Sequence, residues 1–233
     1  MAKRETKTKT ASLRHERHYF RAGFPFIVGI DEAGRGPLAG PVAAAAVALP
    51  LERSNLASSL RGVRDSKEMS AHQRERLCEV IKDVASCWGI GHSSAEEIDR
   101  LGIVVATKAA MQRALDHALD GSSILPDCLF LDYQLWPERS DIPQVSIVDG
   151  DKHSLTIAAA SVLAKVWRDR YMIDLDTVHP GYGFAAHKGY GTAPHLRALR
   201  THGPCSEHRR SFSPVTEPSG RAAHLRLPPS GRT

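Results

Sequence analysis

The chain has 233 residues, 42% hydrophobic and 24% charged, with a net charge of +5, a balance that suits a soluble globular protein with one sizeable core and one domain or two. No run approaches the roughly 18 apolar residues of a membrane span, and the basic start Met1-Ala2-Lys3-Arg4 leads into Thr and Lys, so neither a membrane anchor nor a secretory signal is expected. Cys78, Cys87, Cys128 and Cys205 are far apart with no C-x-x-C pair, which argues against a disulfide framework or a zinc site and for reduced thiols in a cytoplasmic protein.

Charge is unevenly spread. Residues 1–21 hold seven Lys/Arg against two Glu, residues 197–233 hold seven Arg against two Glu, and the middle holds 17 basic against 22 acidic residues. Basic ends around an acidic centre fit a protein that grips a polyanion and keeps carboxylates at its heart; solvated tails explain the same runs without function.

In chain order, residues 1 to about 23 form a polar, basic segment, partly helical or disordered. Phe26–Asp31 and Ala43–Leu49 are apolar runs separated by Gly and Pro, which predicts two strands joined by a turn. Residues 52–70 are polar and loop-like. Ala71–Ser86 sets Leu77, Val80, Ile81 and Val84 at helical spacing, Trp88–Ile90 reads as a strand, and Ser94 is placed to cap a helix with Glu96 and Glu97 in its first turn. Ile103–Leu119 is a helix ending at Asp120-Gly121. Cys128–Leu131 and Val145–Val148 are further strands, Ser154–Asp174 a long helix with an alanine-rich face, and Thr192 to about His202 a last helix after a Gly/Pro/His-rich loop. From residue 216 the chain is a Pro/Arg-rich tail, read as disordered. The order of elements predicts a mixed α/β sheet in one domain, residues 24–215.

Three predicted strands lead into acids: Asp31-Glu32, Asp132, and Asp149/Asp151. Packing alone does not ask for this, because an ionised carboxylate is costly to bury without a cation or donors. Mg²⁺ is commonly held by one or two carboxylates plus phosphate oxygens. The glycines and arginine of Gly34-Arg35-Gly36 suit close approach to a ligand and pairing with phosphate. If the strand ends lie together, the acids can share two divalent ions roughly 4 Å apart, the arrangement for in-line attack of water on a phosphodiester. Taken singly, Asp132 also suits a turn and Asp151 a cap for the helix near Ser154.

The run Gly29-Ile30-Asp31-Glu32-Ala33-Gly34-Arg35-Gly36-Pro37-Leu38-Ala39-Gly40-Pro41-Val42 closely resembles the N-terminal motif of type 2 ribonuclease H, the ribonuclease HII family. The likeness continues, in order, through Asp65-Ser66-Lys67, residues 150–165, Arg168-Asp169-Arg170, His187-Lys188-Gly189-Tyr190-Gly191-Thr192, Gly203-Pro204-Cys205 and His208-Arg209-Arg210-Ser211-Phe212, about residues 12–215 in all. The resemblance implies an RNase H-like mixed sheet flanked by helices, with a C-terminal helical extension. It implies a Mg²⁺- or Mn²⁺-dependent endonuclease that cuts RNA in RNA–DNA hybrids and incises 5′ of single ribonucleotides in duplex DNA, leaving 3′-hydroxyl and 5′-phosphate ends; a monomer is expected, although the sequence does not settle oligomeric state. By position, it makes Asp31, Glu32 and Asp132 metal ligands and Asp151 the fourth catalytic acid. Gly34, Arg35 and Gly36 become the loop that senses the 2′-hydroxyl, Tyr190 the ring stacked at the RNA–DNA junction, and Lys67 and Lys188 phosphate contacts.

Two positions depart from that pattern: Tyr133 stands where the family usually has Gly, and Asp149 where it usually has Lys, an anion in place of a cation beside the proposed metal cluster. Asp169 reads as an ion-pair residue, His187 as a general acid or equally a surface histidine, Tyr182 as structural, and Trp88, Trp136 and Trp167 as core or near-core residues. Two rival functions are a hybrid-binding module without catalysis and a dinucleotide-binding enzyme. The second rests on Gly34-Arg35-Gly36-Pro37-Leu38-Ala39 as a G-x-G-x-x-A fingerprint with Glu52 downstream. Against it, Asp31-Glu32 would repel a pyrophosphate, and a strand rather than a helix is expected after Gly40.

Overall fold

The computed structural model describes residues 10–120, 124–133 and 135–215; residues 1–9 of the basic N-terminal segment, Gly121 and the tail from 216, on which sequence expectations fall, lie outside them. In chain order the elements are α1 (Arg14–Arg21), β1 (Ile27–Ala33), β2 (Val42–Ala48), α2 (Leu56–Ser59), α3 (Ala71–Val84), β3 (Cys87–Ser93), α4 (Ala95–Leu101), α5 (Ile103–Ala118), β4 (Cys128–Asp132), β5 (Gln144–Ile147), α6 (Gly150–His153), α7 (Leu155–Val178), α8 (Phe184–His187) and α9 (Ala193–His202). The stretch read as loop over 52–70 contains the single turn α2 and a 3₁₀ turn, Ser66–Glu68. Neither is long enough to show a hydrophobic period.

The strands form one mixed sheet in the order β3-β2-β1-β4-β5. β1 pairs antiparallel with β2 and parallel with β4, and β4 pairs parallel with β5. β2, Val-Ala-Ala-Ala-Ala-Val-Ala, is buried along its whole length, as expected of a strand covered on both faces. α5 packs on one face against Val28, Ile30 and Leu129; α3 and α7 cover the other through Leu77, Ile81, Ala159 and Leu163. The alanine face of α7 does what small side chains permit: a Cβ added at Gly29 of β1 would lie 2.6 Å from the Thr156 carbonyl carbon, so helix and strand touch backbone to backbone.

Helix caps match the sequence. Ser94 and Glu97 form a reciprocal capping box on α4, and Ser70 with Gln73 forms another on α3. Ser154, not Asp151, caps α7 by accepting the Ile157 amide. Asp151 instead lies inside the short α6. The N-terminal segment is less peripheral than its charge suggests: Ala11 and Leu13 join the core, and Glu16 is buried, its Oε1 accepting from Ser154 Oγ at 2.6 Å and the Thr156 amide at 2.9 Å. All four cysteines are free thiols. Among the described residues no helix is long and apolar enough to cross a membrane.

Candidate active site

β1 runs two residues beyond Asp31, so Asp31 and Glu32 occupy successive strand positions, opposite Ala45 and Ala44, and point to opposite faces of the sheet. Asp31 turns toward α7, where Ser161 hydrogen-bonds its carboxylate. Glu32 turns toward α5, into a shallow pocket with Arg35, Thr107, Lys108 and Asp132. β4 carries Asp132 to the same level, one residue past the Ile30–Leu131 pair, so Asp31 and Asp132 sit on neighbouring strands about 4.8 Å apart. Asp132 Oδ1 accepts the Gly150 amide at 2.8 Å, which ties the end of β4 to α6 and brings in Asp151. The sheet order therefore brings acids of three distant stretches near one another at the C-terminal ends of β1 and β4.

Their electrostatics show the crowding. Burial, with Glu32 and Asp132 nearby, raises the pKa of Asp31 well above the usual carboxylate range. Burial raises Glu32 as well, against the pull of Arg35, whose NH1 lies 3.3 Å from Glu32 Oε1. Asp151 is pushed up to about 6 by burial and by Asp65. Lys67 opposes this cluster: its Nζ lies 3.5 Å from Asp151 and 4.0 Å from Asp65. Burial works against the lysine's charge, yet Asp151, Asp65 and Asp31 together hold its pKa above the ordinary value.

The carboxylates influence one another without forming a preformed cage. Among the described residues no three His, Cys, Asp or Glu side chains are gathered closely enough to ligate one ion. Each acid is instead turned to a protein donor: Asp31 to Ser161 and the Glu32 amide, Glu32 to Arg35, Asp132 to Gly150, Asp151 to Lys67. The donor set nevertheless fits Mg²⁺ or Mn²⁺. It is all-oxygen, which suits hard cations, and the raised carboxylates mark a deficit of positive charge that a cation would fill.

Beside the acids stands the Gly34-Arg35-Gly36 loop, and two residues given no role from sequence hold it. Arg209, fully buried, donates to the carbonyls of Gly34 (2.6 Å), Arg35 (2.8 Å) and Gly40 (2.9 Å). Arg168, also fully buried, donates to Pro41 (2.9 Å), Lys188 (3.0 Å) and Ala39 (3.2 Å). Gly34 has φ +95, and a Cβ there would lie 2.0 Å from Arg168 Nε, so the loop can lie over the guanidinium only as glycine. Burial lowers Arg168 to about 10, and burial with the neighbouring Arg168 charge lowers Arg209 to about 9. Both stay cationic at neutral pH and satisfied by carbonyl oxygens.

The clamp also reaches the second loop. Tyr190 is 46% exposed, and a Cβ at Gly36 would lie 4.0 Å from its Cε1, so the ring borders the glycine loop. Lys188 is less available than expected: its backbone is left-handed (φ 52), and its Nζ bonds the Ala185 carbonyl. Lys67, although it faces Asp151 and Asp65, is 77% exposed at the side chain and so also open to an anion from solvent. Asp149 points its carboxylate at Lys152, 3.6 Å away, on the exposed surface.

The remaining sequence assignments also find places. Asp169 pairs with Arg74 at 3.3 Å and Lys165 at 2.7 Å. Its partners lie on α3 and one turn back along α7 rather than in the adjacent arginines. His187 serves loop structure, with Nε2 2.8 Å from the Tyr182 carbonyl and Nδ1 accepting the Gly189 amide at 3.2 Å. Tyr182 is buried and donates to the Gly203 carbonyl. Trp136 is buried, Trp88 packs on the core, and Trp167 is stacked between His92 and Tyr171. The dinucleotide fingerprint fails structurally: its glycines lead into the antiparallel strand β2, leaving no helix N-terminus to receive a pyrophosphate. Asp65 joins the acidic cluster beside Asp151 and Lys67; its place two residues before Lys67 is the one sequence signal that points to it.

Comparison with known proteins gives the same answer. Residues 28–215 match the family model described as ribonuclease HII. The chain is 48% identical over 208 residues to ribonuclease HII of Shouchella clausii, covering 88% of this chain and 75% of that protein. It is 50% identical over 198 residues to ribonuclease HII 1 of Methylibium petroleiphilum, covering 84% and 93%. Among solved structures, the ribonuclease HII in a complex with PCNA from Archaeoglobus fulgidus superposes with a TM-score of 0.64 at 27% identity, covering 80% of this chain and 95% of that one. Ribonuclease H2 from Pyrococcus horikoshii shares the fold, with a TM-score of 0.65 at 24% identity over 82% and 95%. With a family model matching most of its length and relatives near half identity, the chain belongs to the ribonuclease HII family and is an endoribonuclease of the ribonuclease H class.

Proposed function

We propose that the protein is a divalent-metal-dependent endonuclease that cuts the RNA strand of RNA–DNA hybrids and incises on the 5′ side of single ribonucleotides in duplex DNA, leaving 3′-hydroxyl and 5′-phosphate ends. The observation that supports the proposal is that Asp31, Glu32, Asp132 and Asp151 come near enough to act on one another's charge around the ends of β1 and β4, next to a glycine loop whose carbonyls Arg209 holds and over which Arg168 lies. Asp31, Glu32 and Asp132 would hold Mg²⁺ or Mn²⁺, which when bound would supply activation of a water and stabilisation of a leaving oxygen. A ribonuclease HIII solved in complex with Mn²⁺ has the same fold, at 21% identity and a TM-score of 0.60.

This chain's own residues account for selectivity. Gly34, Arg35 and Gly36 bring backbone close to a sugar with no side chain in the way at either glycine, as recognition of a 2′-hydroxyl requires. Tyr190 offers its exposed ring at the edge of that loop, for stacking on the adjoining nucleotide. Lys67, exposed and facing the acids, is placed to hold a phosphate and to offset repulsion between the polyanion and the carboxylates. Asp151, inside α6, faces Lys67 at 3.5 Å and is crowded by Asp65.

The test is to incubate the protein with Mg²⁺ or Mn²⁺ and a labelled duplex containing one ribonucleotide. A nick on its 5′ side supports the proposal; tight binding without a nick would make the protein a binding module.

A further inference from the structure

Tyr190 sits in a turn supported from beneath by two buried imidazoles. His195, in the first turn of α9, places Nδ1 2.9 Å from the Tyr190 carbonyl oxygen and Nε2 3.1 Å from Nε2 of His208. His208 in turn places Nδ1 3.0 Å from the Cys205 amide nitrogen. The two rings are 0% and 1% exposed. Because an amide only donates, His208 Nδ1 must accept, and the His208 proton therefore resides on Nε2. That proton faces Nε2 of His195, which must accept in its turn. His195 then keeps its proton on Nδ1, where it donates to Tyr190. The partners thus select one proton arrangement for the whole chain from Cys205 to Tyr190, with both rings neutral. A second proton on either ring would set two donors against each other at full burial.

The same few residues serve both substrate loops. Arg209, next to His208, clamps Gly34 and Arg35, and the Ala39–His208 bridge joins the segment to the chain leaving the glycine loop. The His187 ring lies over His195 with centroids 4.3 Å apart, so the support is flanked by a further ring.

We propose that His195 and His208 are positioning residues for cleavage: as a hydrogen-bonded neutral pair they lock the turn that presents the Tyr190 ring beside Gly36. The inference rests on the function proposed above, and its test separates the two.

In His208→Asn the side-chain oxygen keeps the bond from the Cys205 amide, but nothing donates to His195; His208→Gln keeps a donor toward His195 and gives up the Cys205 bond. With a single-ribonucleotide duplex, His208→Asn is expected to raise KM about fivefold, the scale of one lost hydrogen bond, with kcat changed less than twofold, and His208→Gln to restore KM. In a Tyr190→Ala background, His208→Asn should add nothing further. Nitrogen chemical shifts of the unmutated protein at pH 7 read the same claim without any variant: His195 protonated on Nδ1, His208 on Nε2. An unchanged KM, an equal rise in the Tyr190→Ala background, or the opposite tautomers would overturn the inference. An unmutated protein that nicks no ribonucleotide duplex would overturn the proposed function, and this inference with it.

Discussion

Tyr133 follows Asp132 directly, with φ +61 and 68% of its surface exposed. A bulky side chain in the left-handed region costs about 1 kcal/mol relative to glycine, and at this exposure burial returns little. The conformation persists because the Tyr133 amide bonds the Ile147 carbonyl at 3.1 Å and Ser146 Oγ bonds the Tyr133 carbonyl at 2.8 Å, anchoring the end of β4 from both sides. Tyr133→Gly is therefore expected to raise stability by about 1 kcal/mol, read as a higher urea midpoint at unchanged slope. Lower stability would show that the ring contributes contacts its exposure does not reveal. At this scale the acids were legible in the chain because carboxylates after apolar runs break the rule for buried strands. Arg168 and Arg209 were not. Arginine is a surface residue by default, and the carbonyls that satisfy these two lie 127 to 175 residues away for five of their six bonds, beyond any local pattern.

Elements decide how firmly the loops are held. Arg209 reaches three carbonyls with a planar fork that lysine lacks, so Arg209→Lys would leave at least one buried carbonyl of the glycine loop without a donor. The expected result is a loss of about 2 kcal/mol in stability together with a higher KM for a ribonucleotide-containing duplex. A variant with parent-like KM would mean that the loop holds its shape without the clamp. The histidine pair adds a pH dependence. His208 is lowered to about 4 by burial and by His195, with His179 and Arg210 acting in the same direction; His187, Tyr182 and Phe184 pack about the pair, and Cys205 meets His208 from the other side. A histidine lowered in the folded state contributes stability that is fully present above its unfolded pKa of about 6.5 and is lost as pH falls toward 4. Thermal melts should show the melting temperature falling over that window in the parent and falling less in His208→Asn. Equal slopes would show that other groups govern the acid limb. The helices here were legible from periodicity and caps, as Ser94 with Glu97 shows, whereas α2 and α6, single turns of four residues, were not. Glu16 was hidden by its setting, one of two acids in a basic segment that reads as solvated until the cap of α7 is seen to rest on it.

For the whole molecule, the order β3-β2-β1-β4-β5 carries the account. It places β1 between an antiparallel and a parallel neighbour, so Asp31 and Asp132, a hundred residues apart, end on adjacent strands. The mixed α/β class followed from the alternation of elements, and the basic ends around an acidic middle anticipated a carboxylate centre. What the chain order did not reveal is that Asp31 and Glu32 lie on opposite faces, because the strand runs on past both. The central claim is that these acids act together on a phosphodiester beside a ribose. Its most direct measurement compares the parent with Asp31→Asn on a 5′-labelled duplex carrying one ribonucleotide, in Mg²⁺ and in Mn²⁺, scoring cleavage and binding separately. The account expects a nick 5′ of the ribonucleotide by the parent, a loss of at least about a hundredfold in rate for Asp31→Asn, and binding within a few-fold of the parent. Cleavage by Asp31→Asn at the parental rate would contradict it.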